Sequence, residues 1–308
     1  MSDAVRETDL DGLERIHQGK VRDVYAVGED RLLLVATDRI SAFDRVLGSA
    51  IPGKGAVLTQ VSNCWFDRLA EVVPNHLVSW RAADMPGAAA AAARSLAGRA
   101  VLCRKANVVP VECIVRGYLA GSVQKKYERD GAIQGVALPP GIPLGGKLPE
   151  PIFTPTTKAA QGHDEPLTFA ELVEQIGPSL AERIRAVSLA VFEAASAHCA
   201  ERGLILCDTK LEMGHLPDGT LVLIDELLTP DSSRFFKAAE HEPGRQPVPW
   251  DKQLVRDYLQ TLPREALEAP EAPTLPEEIV SETAARYREV YRLVAGRELD
   301  QAVAEATA

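Results

Sequence analysis

The segment LILCDTKLEMGHLPDGTLVLIDELLTPDSSRFF constrains the fold more than any other part of the chain. Two apolar runs, 204–214 and 220–228, flank the turn sequence HLPDG, and this pattern predicts a β-hairpin. Side chains of a strand alternate between its two faces. One face of the first strand is apolar and can enter the core. The charged side chains on the other face are Asp208, Lys210 and Glu212.

This charged face predicts a metal site. If residues 217–220 form a four-residue loop, Glu212 lies directly opposite Asp225, with Cβ atoms about 5 Å apart. Two carboxylates that close repel each other unless a cation lies between them. Mg²⁺ typically binds one or two carboxylates together with phosphate oxygens. We therefore expect Glu212 and Asp225 to be metal ligands, with Lys210 beside them to meet a phosphate or orient an acid.

Two alternatives to this interpretation stay open. A loop one residue longer would place Glu226, and not Asp225, opposite Glu212. The hairpin could also be a surface element with solvated charges. The loop after the second strand argues against a surface role, because it offers further polar side chains where α/β proteins often gather ligands. These are Asp231, Ser232, Ser233 and Arg234.

The N-terminal segment GKVRDVY contains a glycine beside alternating cations. Residues 19–27 and 31–37 read as two strands around a turn at 28–30. The segment is neither a P-loop nor a GxGxxG motif. It suits a flap over the phosphates of a nucleotide, as in kinase glycine-rich loops, although an exposed basic strand is also possible. The candidate cofactor contacts are Gly19, Lys20 and Arg22.

The segment RKANVVPVECIVRGYLAGS suggests a second anion site. Lys105 could reach a phosphate, and the strand 111–115, which includes Glu112, could offer backbone groups to an adenine edge. Arg116 follows, and Ser122 stands at the predicted start of a helix over 122–130, where anions bind well. An arginine with a helix start would make a sugar-phosphate clamp; an ordinary helix cap is the alternative.

Two polar loops complete the candidate pocket. TDRISAFD places Ser41 and Asp44 after an apolar strand, and FTPTTKAAQGHDEP supplies Lys158 and Asp164 in a stretch with no core role. Together with the segments above, they predict a pocket with one wall that binds anions and another that binds cations.

The remaining pattern predicts a strand-rich N-terminal half and a mixed C-terminal half that meet across a cleft. The proline- and glycine-rich stretch 135–167 is predicted to be irregular, and segments of that length are usually functional or linkers. A C-terminal apolar stripe that includes Tyr287 and Tyr291 is expected to pack internally. Helices are predicted over 56–70, 87–97, 178–203, 251–262 and 276–299.

Composition narrows the class of protein. A net charge of -10 disfavours general binding to nucleic acid or anionic membranes. The five cysteines are scattered without metal-site spacing, so buried free thiols in a reducing compartment are expected. The N-terminus is acidic and polar, unlike a targeting peptide, and no apolar run approaches a membrane span. We therefore expect a cytoplasmic enzyme that uses ATP and Mg²⁺.

Six motifs in order resemble the long form of the SAICAR synthetase (phosphoribosylaminoimidazole-succinocarboxamide synthase) family of purine biosynthesis. They are GKVRDVY, TDRISAFD, VECIVRGYLAGS, FTPTTKA with GHDE, DTKLEMG and IDELLTPDSSRF. The resemblance covers about residues 14–260. It implies an ATP-dependent carbon–nitrogen ligase that joins L-aspartate to a carboxyaminoimidazole ribonucleotide through an acyl phosphate. It also implies a two-lobed α+β fold, with a β-rich lobe over 1–120, a mixed α/β lobe over 121–308 and an ATP-grasp or kinase-like nucleotide cleft.

The resemblance also suggests roles for individual residues. Nucleotide contacts would come from Lys20, Arg22 and Lys105, and the Mg²⁺ ligands would be Glu212 and Asp225. Asp208 and Lys210 would lie on the catalytic strand. The residues expected to hold the ribonucleotide are Arg116, Ser122 and Arg234, and those expected in the ribonucleotide and aspartate pocket are Ser41, Asp44, Lys158 and Asp164.

Three other functions are alternatives to this ligase: a small-molecule kinase, a different amide ligase on the same fold, and a non-catalytic nucleotide sensor. A kinase would need no amine acceptor, and a sensor would have lost part of the acid cluster over 208–226, which is complete here. We expect small-molecule partners only, with no nucleic acid and no membrane, and a monomer or small homo-oligomer.

Overall fold

An antiparallel sheet of five strands forms the N-terminal part of the computed structural model. The predicted hairpin around residues 28–30 is confirmed: its strands pair from Arg22↔Ala36 to Val27↔Arg31, and Gly28 has φ 66°. Gly19 and Lys20 lie in the turn before the second strand, so the predicted strand start at residue 19 is wrong. In spatial order the strands are β1 (Arg15–Gln18), β2 (Arg22–Val27), β3 (Arg31–Ala36), β7 (Ala100–Arg104) and β6 (Leu77–Ser79).

The structure describes residues 4–43, 45–121, 123–158, 163–245 and 252–308. Two of the predicted site residues, Asp44 and Ser122, lie outside these ranges.

Helix α1 (Lys54–Arg68) packs between the N-terminal sheet and the C-terminal helices. Nearly every residue of its first three turns is buried, which fits a helix covered on several sides. It starts two residues before the predicted position, after Gly53 at φ 79°, and this start places Lys54 in its first turn. The predicted alanine-rich helix is also present, as α2 (Gly87–Ser95).

A small hairpin, β4 (Arg39–Ala42) and β5 (Arg45–Ala50), packs against the C-terminal part of the chain. Its Ile40 and Leu47 share a core cluster with Val255 and Leu259. The helices on that side are α6 (Gln253–Gln260) and α7 (Arg264–Glu268). Ser41 therefore lies in a strand and not in the predicted loop, and residues more than 200 positions away in the sequence brace this strand.

The second sheet is built around the twelve-residue strand β14 (Leu204–His215). The predicted helix over 178–203 is confirmed as α5 (Pro178–Glu201), which packs on this sheet. The sheet also contains β8 (Asn107–Val108), β9 (Val111–Tyr118), β12 (Lys147–Phe153), β13 (Thr156–Thr157), β15 (Leu221–Ile224) and β16 (Ser233–Lys237).

The stretch 135–167 is not wholly irregular, because β12 and β13 lie within it. Both strands pair with β9, so proline-rich chain is held at the sheet edge, where missing backbone donors are tolerated. Shorter elements flank the sheet: α3 (Val123–Asp130), β10 (Ala132–Ile133), β11 (Val136–Ala137) and α4 (Phe169–Ile176). Helix α4 is absent from the predicted elements, although Thr168 and Glu171 form a capping box at its start.

The C-terminal helix predicted over 276–299 is two helices, α8 (Glu277–Ala295) and α9 (Leu299–Thr307). Gly296, at φ 70°, ends the first of them. The expected internal packing of the apolar stripe is confirmed, since Tyr287 and Tyr291 are buried in the largest core cluster.

The α+β class is confirmed by these two antiparallel sheets and the helices around them. Four of the five cysteines are buried, and all five are free thiols. Among the described helices, none has the length and apolar character required to span a membrane. The division of the chain into lobes near residue 120 stays a prediction, as do the cytoplasmic location and the oligomeric state.

Candidate active site

A cleft of about 610 Å³ lies between the turn before β2 and the strands β14 and β15. Part of its wall is apolar, with Val24, Leu32, Leu34 and Val108, and part is charged. Apolar walls with a few convergent polar groups are typical of ligand sites. The cleft brings together eight of the predicted site residues: Gly19, Lys20, Arg22, Ser41, Lys158, Lys210, Glu212 and Asp225.

The register of the β14–β15 hairpin differs from the predicted one. His215 pairs with Leu221 and Glu212 pairs with Ile224, so the loop spans 216–220. The prediction that Glu212 faces Asp225 is wrong, and Glu226 does not face it either. Strand β15 ends at Ile224, and Asp225 follows at φ 63°. That left-handed turn takes Asp225 out of the ladder but leaves its side chain in the cleft wall.

Arg22 bridges the two acids that follow β15. Its Nε lies 2.9 Å from Oδ1 of Asp225, and one of its terminal nitrogens lies 2.8 Å from Oε1 of Glu226. Although burial opposes ionisation of Asp225, Arg22 and nearby lysines hold the pKa of this carboxyl below its ordinary value. Burial raises the pKa of Glu226 despite the same arginine. Arg22 and these two acids thus contact each other directly in the wall of the cleft.

Two lysines and two glutamates form a chain of ion pairs at the charged face of β14. Lys210 Nζ lies 2.5 Å from Oε1 of Glu112 and 3.5 Å from Oε1 of Glu212, and Lys158 forms an ion pair with Glu212. Burial lowers the pKa of Lys210, but the two glutamates outweigh it and raise that pKa overall. Burial raises the pKa of Glu112, which Lys210 opposes. Glu112 therefore positions Lys210 and does not itself line the cleft.

Asp208 joins two arginines further along β14. Arg116 and Arg234 are its cross-strand neighbours in β9 and β16. Arg116 donates to Oδ2 at 3.1 Å, and Arg234 Nε donates to Oδ1 at 2.9 Å. The trio carries a net positive charge, and Asp208 lies two residues along the strand from Lys210, which lines the cleft. Its geometry suits an anionic group such as a phosphate.

The guanidinium group of Arg234 packs so closely against residue 121 that a glycine is required there. A Cβ at this position would lie 2.0 Å from a terminal nitrogen of Arg234, and the residue has φ 73°. The Arg234 guanidinium therefore lies directly against the backbone of the GYLAGS segment.

Six predicted site residues that the structure describes do not line the cleft: Lys105, Glu112, Arg116, Asp164, Asp208 and Arg234. Lys105 is exposed, and its neighbour Arg104 lines the cleft instead. Asp164 is also exposed, although it lies near enough to Glu112 to raise the pKa of that carboxyl.

Sequence reasoning missed a buried cluster around Asp231. Lys54 Nζ lies 2.7 Å and Lys252 Nζ lies 3.1 Å from its Oδ2, and Tyr287 donates to its Oδ1 at 2.6 Å. In the sequence, Asp231 is only one of several polar residues of its loop. The glycines around Lys54 are the one local signal for it; Lys252 and Tyr287 have no local signal, because only the fold brings them to the loop.

The carboxylates of the cleft are compatible with the Mg²⁺ ion that the sequence resemblance implies. Within the described ranges, no group of three or more His, Cys, Asp or Glu side chains is arranged to hold a metal ion by protein ligands alone. Mg²⁺ needs fewer, since it usually binds one or two carboxylates and completes its shell with phosphate oxygens and water. Glu212 and Asp225 both line the cleft, next to cations that would meet the same phosphates.

Comparison with known proteins gives one consistent result. A family model described as SAICAR synthetase matches residues 15–273. Phosphoribosylaminoimidazole-succinocarboxamide synthase of Halorhodospira halophila is 52% identical over 297 residues, which cover 95% of this chain and 98% of that protein. The enzyme of the same name from Thermodesulfovibrio yellowstonii is 48% identical, over 96% of this chain and 99% of that protein.

A solved structure supports the same assignment. SAICAR synthase from Saccharomyces cerevisiae, in complex with SAICAR, superposes with a TM-score of 0.85 at 36% identity, covering 96% of this chain and 99% of that one. The sequence matches, the shared fold and the clustered motif residues agree: this chain belongs to the SAICAR synthetase family.

Proposed function

We propose that the cleft joins L-aspartate to the carboxylate of 5-amino-1-(5-phospho-ribosyl)imidazole-4-carboxylate, with ATP converted to ADP and phosphate. The product would be SAICAR, an intermediate of purine biosynthesis. The observation that carries the proposal is the pairing of flap and hairpin: Arg22 meets Asp225 and Glu226, while Lys158 and Lys210 meet Glu212, all within one cleft.

The reaction needs activation because a carboxylate is a poor electrophile. A carboxylate oxygen of the ribonucleotide attacks the γ-phosphorus of ATP, and ADP leaves. The amine of aspartate then attacks the acyl carbon, loses a proton, and phosphate leaves with the C–O electron pair. Lys20, Arg22, Lys158 and Lys210 would stabilise the negative charge on the transferred phosphoryl group.

Mg²⁺ held by Glu212 and Asp225 would neutralise charge on the β- and γ-phosphates. Glu212 and Asp225 come from different sides of the hairpin turn, so they can bind one ion without being cross-strand partners. Lys158 and Lys210 already neutralise Glu212, and they would move toward phosphate oxygens when a nucleotide binds.

The two arginines that flank Asp208 would hold the 5-phosphate of the ribonucleotide. Arg116 and Arg234 share the carboxylate of Asp208, which fixes the directions of both guanidinium groups. Two arginines around one carboxylate leave one positive charge for the substrate. Ser41 and Asp164 stay proposed members of the substrate pocket, and Lys105 a proposed nucleotide contact at its edge.

A coupled ADP-release assay tests the proposed function. We expect ADP release to require both the carboxylated ribonucleotide and L-aspartate, with one SAICAR formed for each ADP. ADP release with the ribonucleotide alone, at the full rate, would instead indicate a kinase. Release with an amine other than aspartate, but not with aspartate, would indicate a different amide ligase.

A further inference from the structure

The cluster around Asp231 extends from the core to the cleft. Lys54 is fully buried, and the side chain of Asp231 is 4% exposed. Lys252 is 11% exposed and lines the cleft together with Asp231. Tyr287 is fully buried and reaches the carboxylate from α8. Only Asp231 and Lys252 of the four contact the cleft, so the other two act from behind its wall.

The charges of this cluster leave an excess of one positive charge. Burial opposes ionisation of Asp231, but the two lysines and the Tyr287 hydroxyl outweigh it and hold the pKa of the carboxyl far below its usual range. Burial lowers the pKa of Lys54, and Asp231 opposes that change. Lys54 and Asp231 form a buried ion pair, and Lys252 lines the cleft, so the cluster offers the cleft one ammonium group, that of Lys252.

One positive charge matches one carboxylate better than a polyphosphate. The phosphate chain of ATP carries several negative charges, and Arg22, Lys158 and Lys210 lie among the acids proposed to hold its metal. Ser41, whose hydroxyl can donate a hydrogen bond, lines the same cleft as Lys252. An ammonium group and a hydroxyl that line the same cleft suit an amino-acid carboxylate.

We propose that Lys252 binds a carboxylate of the amino-acid substrate and that Tyr287, through Asp231, is a positioning residue for it. This inference rests on the proposed function, in which that substrate is L-aspartate. It gives the C-terminal helix a part in the active site, although α8 begins at Glu277, after the segment 15–273 that the family model matches.

The packing of α8 suits a positioning role. Val290, Tyr291 and Val294 lie in the same core cluster as residues of α1, the helix that carries Lys54. The Lys54 ammonium also lies 5.7 Å from the centre of the Tyr287 ring. Helices α1 and α8 therefore hold Asp231 from two sides, and the direction of Lys252 depends on both.

Tyr287→Phe is the direct test, because it removes the hydroxyl and keeps the ring beside Lys54. We expect the KM for aspartate to rise about three- to tenfold, the range for one net hydrogen bond. The KM values of ATP and the ribonucleotide, and kcat at saturating aspartate, should stay as in the wild type. An unchanged aspartate KM, or an equal rise in all three KM values, would overturn the inference.

Tyr291→Phe is the matched control on the same helix. Tyr291 is also buried, but its hydroxyl accepts a hydrogen bond from Arg297 at 3.2 Å, away from the cleft. We expect a similar loss of stability and no change in the aspartate KM. If Tyr291→Phe raises that KM as much as Tyr287→Phe does, the effect is one of general packing and the inference is wrong.

A double-mutant cycle with Lys252→Gln tests whether Tyr287 acts through the lysine. Lys252→Gln should raise the aspartate KM more than about tenfold, as expected for loss of a charged hydrogen bond. Adding Tyr287→Phe to it should raise that KM no further. Independent, multiplying effects would overturn the positioning role.

The wild-type protein separates this inference from the proposed function. Wild-type ADP release that needs no aspartate would overturn the proposed function. Aspartate-dependent release in the wild type, with an unchanged aspartate KM in Lys252→Gln, would overturn the inference alone.

Discussion

The Nε atom of Arg22 lies 2.9 Å from Oδ1 of Asp225, although the two residues are 203 positions apart in the chain. This ion pair joins the N-terminal flap to the acids that follow the hairpin, and it defines the part of the cleft where a metal and a phosphate chain would meet. Substitutions in and around this cleft test the roles proposed for its residues.

Glu212→Gln should abolish ATP-dependent turnover while the fold stays intact. The change removes the charge that meets Lys158 and Lys210 and would bind Mg²⁺. Loss of one such electrostatic group typically lowers kcat by about 10²–10³-fold. ADP release at saturating Mg²⁺ and circular dichroism are the measurements. Glu165→Gln, at an exposed position, is the control, and substantial activity in Glu212→Gln would contradict the metal-ligand assignment.

Arg116→Ala should mainly raise the KM for the ribonucleotide. The substitution removes one of the two guanidinium groups that flank Asp208. A lost charge-assisted contact of about 1.5–3 kcal/mol corresponds to a rise of more than about tenfold. Steady-state kinetics with each substrate varied in turn measure it, and Arg129→Ala, at an exposed site, is the control. A ribonucleotide KM equal to that of the wild type would mean that Arg116 is structural.

Gly121→Ala should also weaken ribonucleotide binding, because the new Cβ would collide with Arg234. Gly131→Ala is a matched control: Gly131 has a similar positive φ of 64°, but a Cβ added there would meet no other atom within 4 Å. Both variants should lose about 1–2 kcal/mol of stability from the left-handed backbone. Only Gly121→Ala should raise the ribonucleotide KM; equal KM values in the two variants would refute the role of this contact.

His76→Gln should flatten the dependence of stability on pH below neutrality. Burial lowers the pKa of His76 from 6.5 to about 4. The unfolded chain therefore binds more protons between these values, so the free energy of unfolding falls as the pH decreases from about 6.5 toward 4. The full effect is up to about 3 kcal/mol.

Urea denaturation at pH 7 and pH 5 measures this difference. The wild type should lose stability between the two pH values, and His76→Gln should lose clearly less. His163→Gln, at an exposed histidine, should behave as the wild type. Equal losses in His76→Gln and the wild type would show that other groups control the loss of stability at acidic pH.

The local sequence pattern was sufficient to predict much of the site. The alternation along β14 placed Asp208, Lys210 and Glu212 on one face, and their contacts with Arg116, Glu112 and Lys158 agree with that prediction. The strand alternates with period two whatever it pairs with, so one sequence is enough to assign its faces. The six ordered motifs identified the family for the same reason: they are properties of the chain itself.

Register and long-range contacts were decided by tertiary structure. The hairpin loop is one residue longer than predicted. The extra residue, Leu216, lies before the predicted loop and not after it, so Glu212 pairs with Ile224 and with neither Asp225 nor Glu226. Asp225 still reaches the cleft, since its left-handed φ and its ion pair with Arg22 direct it there. Neither effect has a local sequence signal.

The Asp231 cluster is the clearest case of contacts that the sequence alone does not predict. The sequence by itself determined the strand faces, the charged motifs and the family, which depend on neighbouring residues and their order. Only the tertiary structure decided that Lys54, Lys252 and Tyr287 share one carboxylate. Burying these charges is favourable only when all partners are present together, and three separate segments of the chain must fold against each other to supply them.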